Sequence, residues 1–142
     1  MMARRITVAC LMVVAGCWSA NPLLAHHSFG AEYDANKPIT LTGVVTRVEW
    51  ANPHAWFYIN VKDARTGQVA NWGAEMGPPH LLQRRGWRRD TLKLGEEVTV
   101  SGALARDGSK RMNAGKVTMT ATGTRPGETL DAGSSGAGII DN

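Results

Sequence analysis

Short runs of alternating apolar and polar residues, separated by glycine, proline and asparagine, most strongly constrain how this chain can fold. The clearest run follows Asn52-Pro53, where the residue before a proline is disfavoured in helical geometry. On one side of an extended chain, this run places four apolar residues: Ala55, Phe57, Ile59 and Val61. The other side carries His54, Trp56 and Tyr58 together with polar groups. A period of two predicts a β-strand with one face in a core and one partly wet face.

The same pattern predicts five strands and one short helix. The strands are expected at about Pro38–Trp50, His54–Lys62, Gln68–Met76, Glu96–Ala105 and Met112–Thr120. Prolines favour a first helical turn and glycine ends helices, so Pro79–Arg85 is predicted to be a helix closed by Gly86. A change of apolar phase at Gly43 predicts a bulge or sharp bend in the first strand.

This element order predicts a mainly β fold. It matches a small five-stranded Greek-key barrel of the oligonucleotide/oligosaccharide-binding (OB) type, with the short helix between strands 3 and 4. An open antiparallel sandwich is the alternative, because element order does not establish closure of a barrel.

The N-terminus has the features of a secretory signal peptide, predicted over residues 1–25. A basic start, Met1–Arg5, precedes the apolar run Ile6–Val14 and then small residues. Cleavage after Ala25 would release a soluble periplasmic or secreted chain that begins at His26. The alternative is a lipobox ending at Cys17, which would leave a lipoprotein tethered to a membrane. Either form is exported.

The mature domain is predicted over residues 26–122, with an irregular N-terminal arm over His26–Lys37. The Gly- and Ser-rich residues 123–142 are expected to form a flexible tail. Both cysteines lie within the first 17 residues, so the domain has no disulfide and no thiolate ligand. Without Arg4 and Arg5 the chain has 14 basic and 12 acidic side chains, a balance that gives no nucleic-acid signature.

Three histidines form a candidate metal site: His26, His27 and His54. If the chain begins at His26, its α-amino nitrogen and its imidazole can both bind one ion. A nitrogen-rich set without thiolate suits copper. Glu32 or Asp34 could add an oxygen ligand. The alternative interpretation is that the terminal histidines are solvated and His54 lies at a turn, with no metal. His80 is predicted to be a surface residue.

A second candidate site would bind a partner in the cell envelope. It consists of surface aromatics and an arginine cluster: Trp56, Tyr58, Arg84, Arg85, Arg88 and Arg89. The arginines could equally be the solvated face of a short helix and its loop. No nucleic-acid partner is expected for an exported protein, and a membrane tether only if Cys17 carries lipid.

Catalysis is the less favoured class. Ser28, Ser101 and Ser109 lie in no nucleophile-elbow context, and the chain has no Gly-rich phosphate loop. Adjacent Glu96 and Glu97 alternate faces of a strand, so they cannot act as a facing acid/base pair. An N-terminal histidine brace that activates oxygen on copper is the remaining enzymatic interpretation.

Several short motifs together resemble a family of small exported bacterial proteins of unknown function. They are His26-His27-Ser28-Phe29, Glu32-Tyr33-Asp34, Asn52-Pro53-His54-Ala55-Trp56, Arg84-Arg85-Gly86-Trp87 and Leu94-Gly95-Glu96-Glu97-Val98-Thr99-Val100. The resemblance covers about His26 to Thr120. It implies export and a small β-rich domain, and it supplies no activity, cofactor or catalytic residue.

Overall fold

The computed structural model describes residues 29–123 and 125–133. In these residues two short helices and six strands follow one another: α1 Phe29–Glu32, β1 Tyr33–Glu49, β2 Trp56–Lys62, β3 Val69–Glu75, α2 Pro79–Arg84, β4 Glu97–Ala105, β5 Arg111–Met119 and β6 Glu128–Asp131. The mainly β prediction is confirmed, and α2 lies between β3 and β4 as predicted. None of the helices in this part of the chain has the length and apolar composition needed to cross a bilayer. The predicted signal peptide lies outside the described residues.

The long first strand pairs with two different neighbours. Its first part, Tyr33 to Val44, pairs with β4, and its last part, Val44 to Glu49, pairs with β2. The bulge in the β1–β2 ladder falls between Val45 and Arg47, so the prediction of a bulge at Gly43 itself is wrong. Gly43 instead permits a close approach, since a Cβ there would lie 2.6 Å from the carbonyl oxygen of Asn60.

The sheet order is β3-β2-β1-β4-β5-β6, with antiparallel neighbours. A further, parallel pairing joins Gly73–Glu75 of β3 to Arg111–Asn113 of β5. These ladders link β1, β2, β3, β5 and β4 in a circuit that returns to β1. Where β4 and β5 meet, a Cβ on Gly102 would lie 1.9 Å from the carbonyl oxygen of Asn113, so glycine permits this contact.

The core forms on the face that the alternation predicts. Ala55, Phe57 and Ile59 of the second run are fully buried, while Val61 is partly buried against them. The loop after α2 covers the core with Trp87, whose indole Nε1 donates a 2.8 Å hydrogen bond to the carbonyl of Asp131. A smaller apolar cluster, formed by Tyr33, Ala103 and Ala105 with Phe29 packed on it, is separate from this core.

Helix and strand residues extend beyond both limits of the predicted strands. Residues 128–131, assigned from sequence to a flexible tail, form β6 and pair with β5. The tail prediction is wrong for this segment because Leu130 packs on the core and Ala132 is fully buried. The arm prediction is also wrong over Phe29–Lys37, where α1 is followed at once by β1. Tyr33 is only 2% exposed, so burial of its ring favours order there.

Candidate functional site

A carboxylate on β3 connects a phenol and an imidazole from distant parts of the chain. The Tyr33 hydroxyl donates a 2.5 Å hydrogen bond to Glu75 Oε2. The second oxygen of Glu75, Oε1, pairs directly with His54 Nδ1. Glu75 is 6% exposed, whereas the His54 side chain is 34% exposed. Tyr33, Glu75 and His54 are called the Glu75 cluster below.

Each member of the Glu75 cluster is placed by a different local structure. Tyr33 is the first residue of β1, and Glu75 is the last residue of β3. His54 lies in the turn between β1 and β2, which contains the cis peptide bond between Asn52 and Pro53. The strand pairings therefore bring three separate segments to one place.

The protonation of Tyr33 follows from its burial and from its hydrogen bond. Burial raises the pKa of the Tyr33 phenol far above its ordinary value, and the hydrogen bond to Glu75 raises it further. The phenol therefore remains a proton donor to the carboxylate. Because Nδ1 of His54 faces the other carboxylate oxygen, the proton of a neutral imidazole is favoured on Nδ1. Nε2 is then left with a lone pair, and no described residue hydrogen-bonds to it.

The chain entering β1 packs on the same cluster. The ring of Phe29 stacks on that of Tyr33, with 5.9 Å between centroids. The Arg106 side chain holds this entry in place by donating hydrogen bonds to the carbonyls of Gly30 and Tyr33, and it pairs with Asp34 at 3.4 Å. His26 and His27 lie just before this point and outside the described residues.

A second feature is a group of aromatic and polar side chains on β1, β2 and β3. Trp56 and Tyr58 are half-buried, with ring centroids 6.4 Å apart and planes 20° apart. The guanidinium of Arg47 lies 3.9 Å from the centre of the Tyr58 ring. Arg47 also pairs with Glu49 at 3.1 Å, and the Tyr58 hydroxyl donates a 3.4 Å hydrogen bond to Glu49. We call Trp56, Tyr58, Arg47 and Glu49 the aromatic face.

The predicted arginine cluster divides in the structure. Arg84, Arg88 and Arg89 are exposed, but Arg85 is half-buried and bonds to Asp131 and to the carbonyl of Gly133. Arg85 therefore links the end of α2 to β6 and to the residues that follow it. A shallow depression of about 450 Å³ lies beside the exposed arginines; it is lined by Gln83, Gly86, Trp87, Arg88, Arg89 and Asp90.

The predicted metal ligands are only partly placed. Of the three histidines, His54 is described and His26 and His27 are not. Among residues 29–123 and 125–133, no three His, Cys, Asp or Glu side chains converge as a metal site would require. Asp34 pairs with Arg106 and Lys37, and His80 is exposed as predicted.

Sequence reasoning missed the residue at the centre of the cluster. Glu75 shares the polar phase of its run with Asn71, so the alternation does not predict its burial. Tyr33 was read as part of an irregular arm. The available signal was a carboxylate directly before Met76-Gly77-Pro78, at the end of a strand otherwise dominated by small and apolar residues.

The fold and these two features define a small, mainly β protein that carries a half-buried aromatic face and a buried carboxylate paired with a partly exposed histidine. A family model described as a family of unknown function, DUF6152, matches residues 14–116, more than half of the chain. The chain belongs to this family. The predicted membership of a family of unknown function is thereby confirmed, while export stays a prediction. A search of the curated proteins found no match to the chain.

Proposed function

We propose that this protein is an exported binding module for a transition metal ion such as copper, built on a small OB-like Greek-key barrel. The circuit of ladders through β1, β2, β3, β5 and β4, with α2 after β3, supports the barrel. The basic start and the apolar run within residues 1–25 support export to the periplasm.

The pairing of His54 with buried Glu75 carries the metal proposal. A histidine that binds a metal usually donates its other ring N–H to a carboxylate, a backbone carbonyl or water, which fixes the tautomer and the ring orientation. Glu75 does this at Nδ1, and Tyr33 holds Glu75 in turn. His54 therefore offers Nε2 as a ligand whose direction is set before any ion arrives.

The other ligands are His26 and His27, through the N-terminal amine and the imidazoles. His27 lies two residues before Phe29, and an extended chain spans at most about 7 Å over two residues. Phe29 packs on Tyr33, which bonds to the same carboxylate as His54. Only a short stretch of chain therefore separates the two histidines from the Glu75 cluster. Nitrogen ligands without thiolate favour copper among the divalent first-row ions.

Copper titration of the protein purified after export tests this proposal. Intact mass first establishes whether the chain begins at His26 or carries lipid on Cys17. Cu(II) is then titrated into this protein, into a form with one extra residue before His26, and into His54→Ala. We expect the extension and His54→Ala each to weaken binding by about tenfold or more. His80→Ala, which removes an exposed histidine on α2, is the matched control and should bind as tightly as the unaltered protein.

Equal affinity in every form would contradict the proposed ligands, and lipid on Cys17 would exclude the N-terminal amine of His26. The alternative function would then be that of an adaptor for an envelope partner, without metal. The half-exposed Trp56 and Tyr58 favour it, together with exposed Arg84, Arg88 and Arg89.

A further inference from the structure

The strand registers place the aromatic face at the centre of two rows of side chains. Residues paired across neighbouring strands point to the same side of a sheet. One row runs Arg47, Tyr58, Gly73 and Arg111, and the next row runs Glu49, Trp56, Glu75 and Asn113. Glu75 and Asn113 are buried, so the accessible groups that border the two rings are the guanidinium groups of Arg47 and Arg111 and the carboxylate of Glu49.

Gly73 lets both rings extend over β3. A Cβ at this position would lie 3.3 Å from Cε1 of Tyr58 and 3.5 Å from Cζ3 of Trp56. Because glycine has no side chain, the rings can lie low over the strand with nearly parallel planes. Aromatic side chains commonly cover glycines in this way for stability alone, which accounts for the position of the rings. It does not account for the polar groups beside them.

The charges next to the rings are matched within the protein. Arg47 pairs with Glu49 at 3.1 Å, and Arg111 pairs with Asp107 at 2.7 Å. An anionic ligand such as nucleic acid would compete with a carboxylate for each guanidinium. A neutral ligand with many hydroxyl groups could instead accept hydrogen bonds from the guanidinium and donate hydrogen bonds to the carboxylate.

Further donors and acceptors line the same side of the sheet. The Asn71 side-chain amide donates hydrogen bonds to Asn60 Oδ1 at 2.9 Å and to Thr46 Oγ1 at 3.1 Å. All three residues are exposed. They continue the polar border beyond Tyr58 along β2. The surface thus combines flat apolar rings with uncharged polar groups on one side and an Arg–Glu pair on the other.

We propose that the aromatic face binds a neutral oligosaccharide. The C–H face of one sugar ring stacks on Trp56, and the hydroxyl groups of the sugar bond to Arg47 and Glu49. The neighbouring sugar lies toward Tyr58, Asn60 and Asn71. This site adjoins the Glu75 cluster, because Glu75 pairs with Trp56 across β2 and β3, but none of its proposed sugar-binding groups is a proposed copper ligand.

The test is a titration of the exported protein with neutral oligosaccharides in the presence of a metal chelator. The probes are the β-1,4-linked tetramers of N-acetylglucosamine and of glucose. Binding is measured by calorimetry and by the indole NH signal of Trp56 in NMR spectra. We expect at least one tetramer to shift that signal. Trp56→Ala should weaken binding by about tenfold or more, since stacking on an aromatic ring contributes on this scale.

Two variants keep the test decisive if Trp56→Ala fails to fold. Glu49→Gln keeps the shape of the side chain and removes its charge, and Arg47→Ala removes the guanidinium. Each should weaken binding severalfold. Leu94→Ala truncates a leucine that is 69% exposed outside the aromatic face, so it should bind as the unaltered protein does.

Absence of binding by both tetramers, or equal affinity in Trp56→Ala and the unaltered protein, would overturn the proposal. A Trp56 signal that shifts with single-stranded oligodeoxythymidine and with neither sugar would also overturn it, in favour of an anionic ligand. Since the titration contains a chelator, failure here leaves the copper result unaffected, and failure of copper binding leaves this result unaffected.

Discussion

Tyr33 and Glu75 lie 42 residues apart in the chain and are joined by a 2.5 Å hydrogen bond from phenol to carboxylate. The first residue of β1 is thereby connected to the last residue of β3, although the two strands are not neighbours in the sheet order. Both side chains are buried. A buried carboxylate is unfavourable unless hydrogen bonds or charges compensate it, so this bond stabilises both the fold and the position of His54.

Stability should fall at alkaline pH because of Tyr33. The pKa of Tyr33 in the folded protein is raised above 10.0, first by burial and then by the bond to Glu75. The folded state therefore holds its proton more tightly than the unfolded state. The contribution of Tyr33 to stability is complete below about pH 10 and is lost as pH rises beyond it. Urea unfolding between pH 8 and about pH 11 measures this loss.

Tyr33→Phe should remove that part of the pH dependence. It should also lower stability at pH 7 by about 1–3 kcal/mol, because Glu75 Oε2 loses a partner in a buried place. Tyr58→Phe, which leaves the Glu75 cluster intact, is the control and should keep the alkaline loss. If Tyr33→Phe kept the slope of the unaltered protein, the Tyr33 phenol would not be the cause of the alkaline loss.

Gly43 should not tolerate even a methyl group. A Cβ at this position would lie 2.6 Å from the backbone oxygen of Asn60, and a backbone atom cannot move aside as a flexible side chain can. Gly43→Ala should destabilise the protein by about 1–3 kcal/mol, measured by thermal or urea unfolding. Gly30→Ala is the matched control, because a Cβ there would meet no described atom within 4 Å. Equal stability of the two variants would count against the close approach of β1 at Gly43 to the backbone of Asn60 on β2.

Removal of β6 should destabilise the domain. A chain ending at Pro126 loses Leu130 and Ala132 from the core, together with the Asp131 carbonyl that accepts the Trp87 indole hydrogen bond. We expect a loss of about 2–4 kcal/mol from this burial and from the unpaired indole. A chain ending at Gly133 keeps β6 and is the control. Unchanged melting of the shorter chain would show that the segment is a dispensable tail.

The loop between β4 and β5 should make a measurable contribution at acid pH. Hydrogen bonds from the Ser109 hydroxyl and backbone NH, followed by the bond from Arg111, lower the pKa of Asp107 from 3.8 to about 2. The stability that depends on its charge is present above about pH 4 and is lost as pH falls toward 2. Thermal midpoints between pH 5 and about pH 2 measure the effect.

In that series, Asp107→Asn should show a smaller loss of stability than the unaltered protein as the pH is lowered. Glu128→Gln removes one exposed negative charge on β6 and serves as the control for net charge. An acid loss that is identical with and without Asp107 would contradict the role assigned to this carboxylate.

Local sequence was sufficient to predict which side of β2 enters the core. Side chains on an extended chain alternate sides, so Ala55, Phe57 and Ile59 were assigned to the core without knowledge of any neighbouring strand. Prolines at its start and a glycine after its end were sufficient to predict α2, because their effect on the backbone is also local. The exposed side of β2, with Trp56 and Tyr58, followed from the same alternation.

The tertiary structure decided the pairings that build the sites. The burial of Glu75 depends on which residues of β1 and the β1–β2 turn come to lie beside the end of β3, and alternation within β3 contains no information about that register. Composition did not predict β6, because its few apolar residues become buried only on a surface that the other strands create. The physical reason is that side-chain direction is set by the geometry of each residue and its neighbours, whereas burial and pairing are set by contacts between residues far apart in the chain.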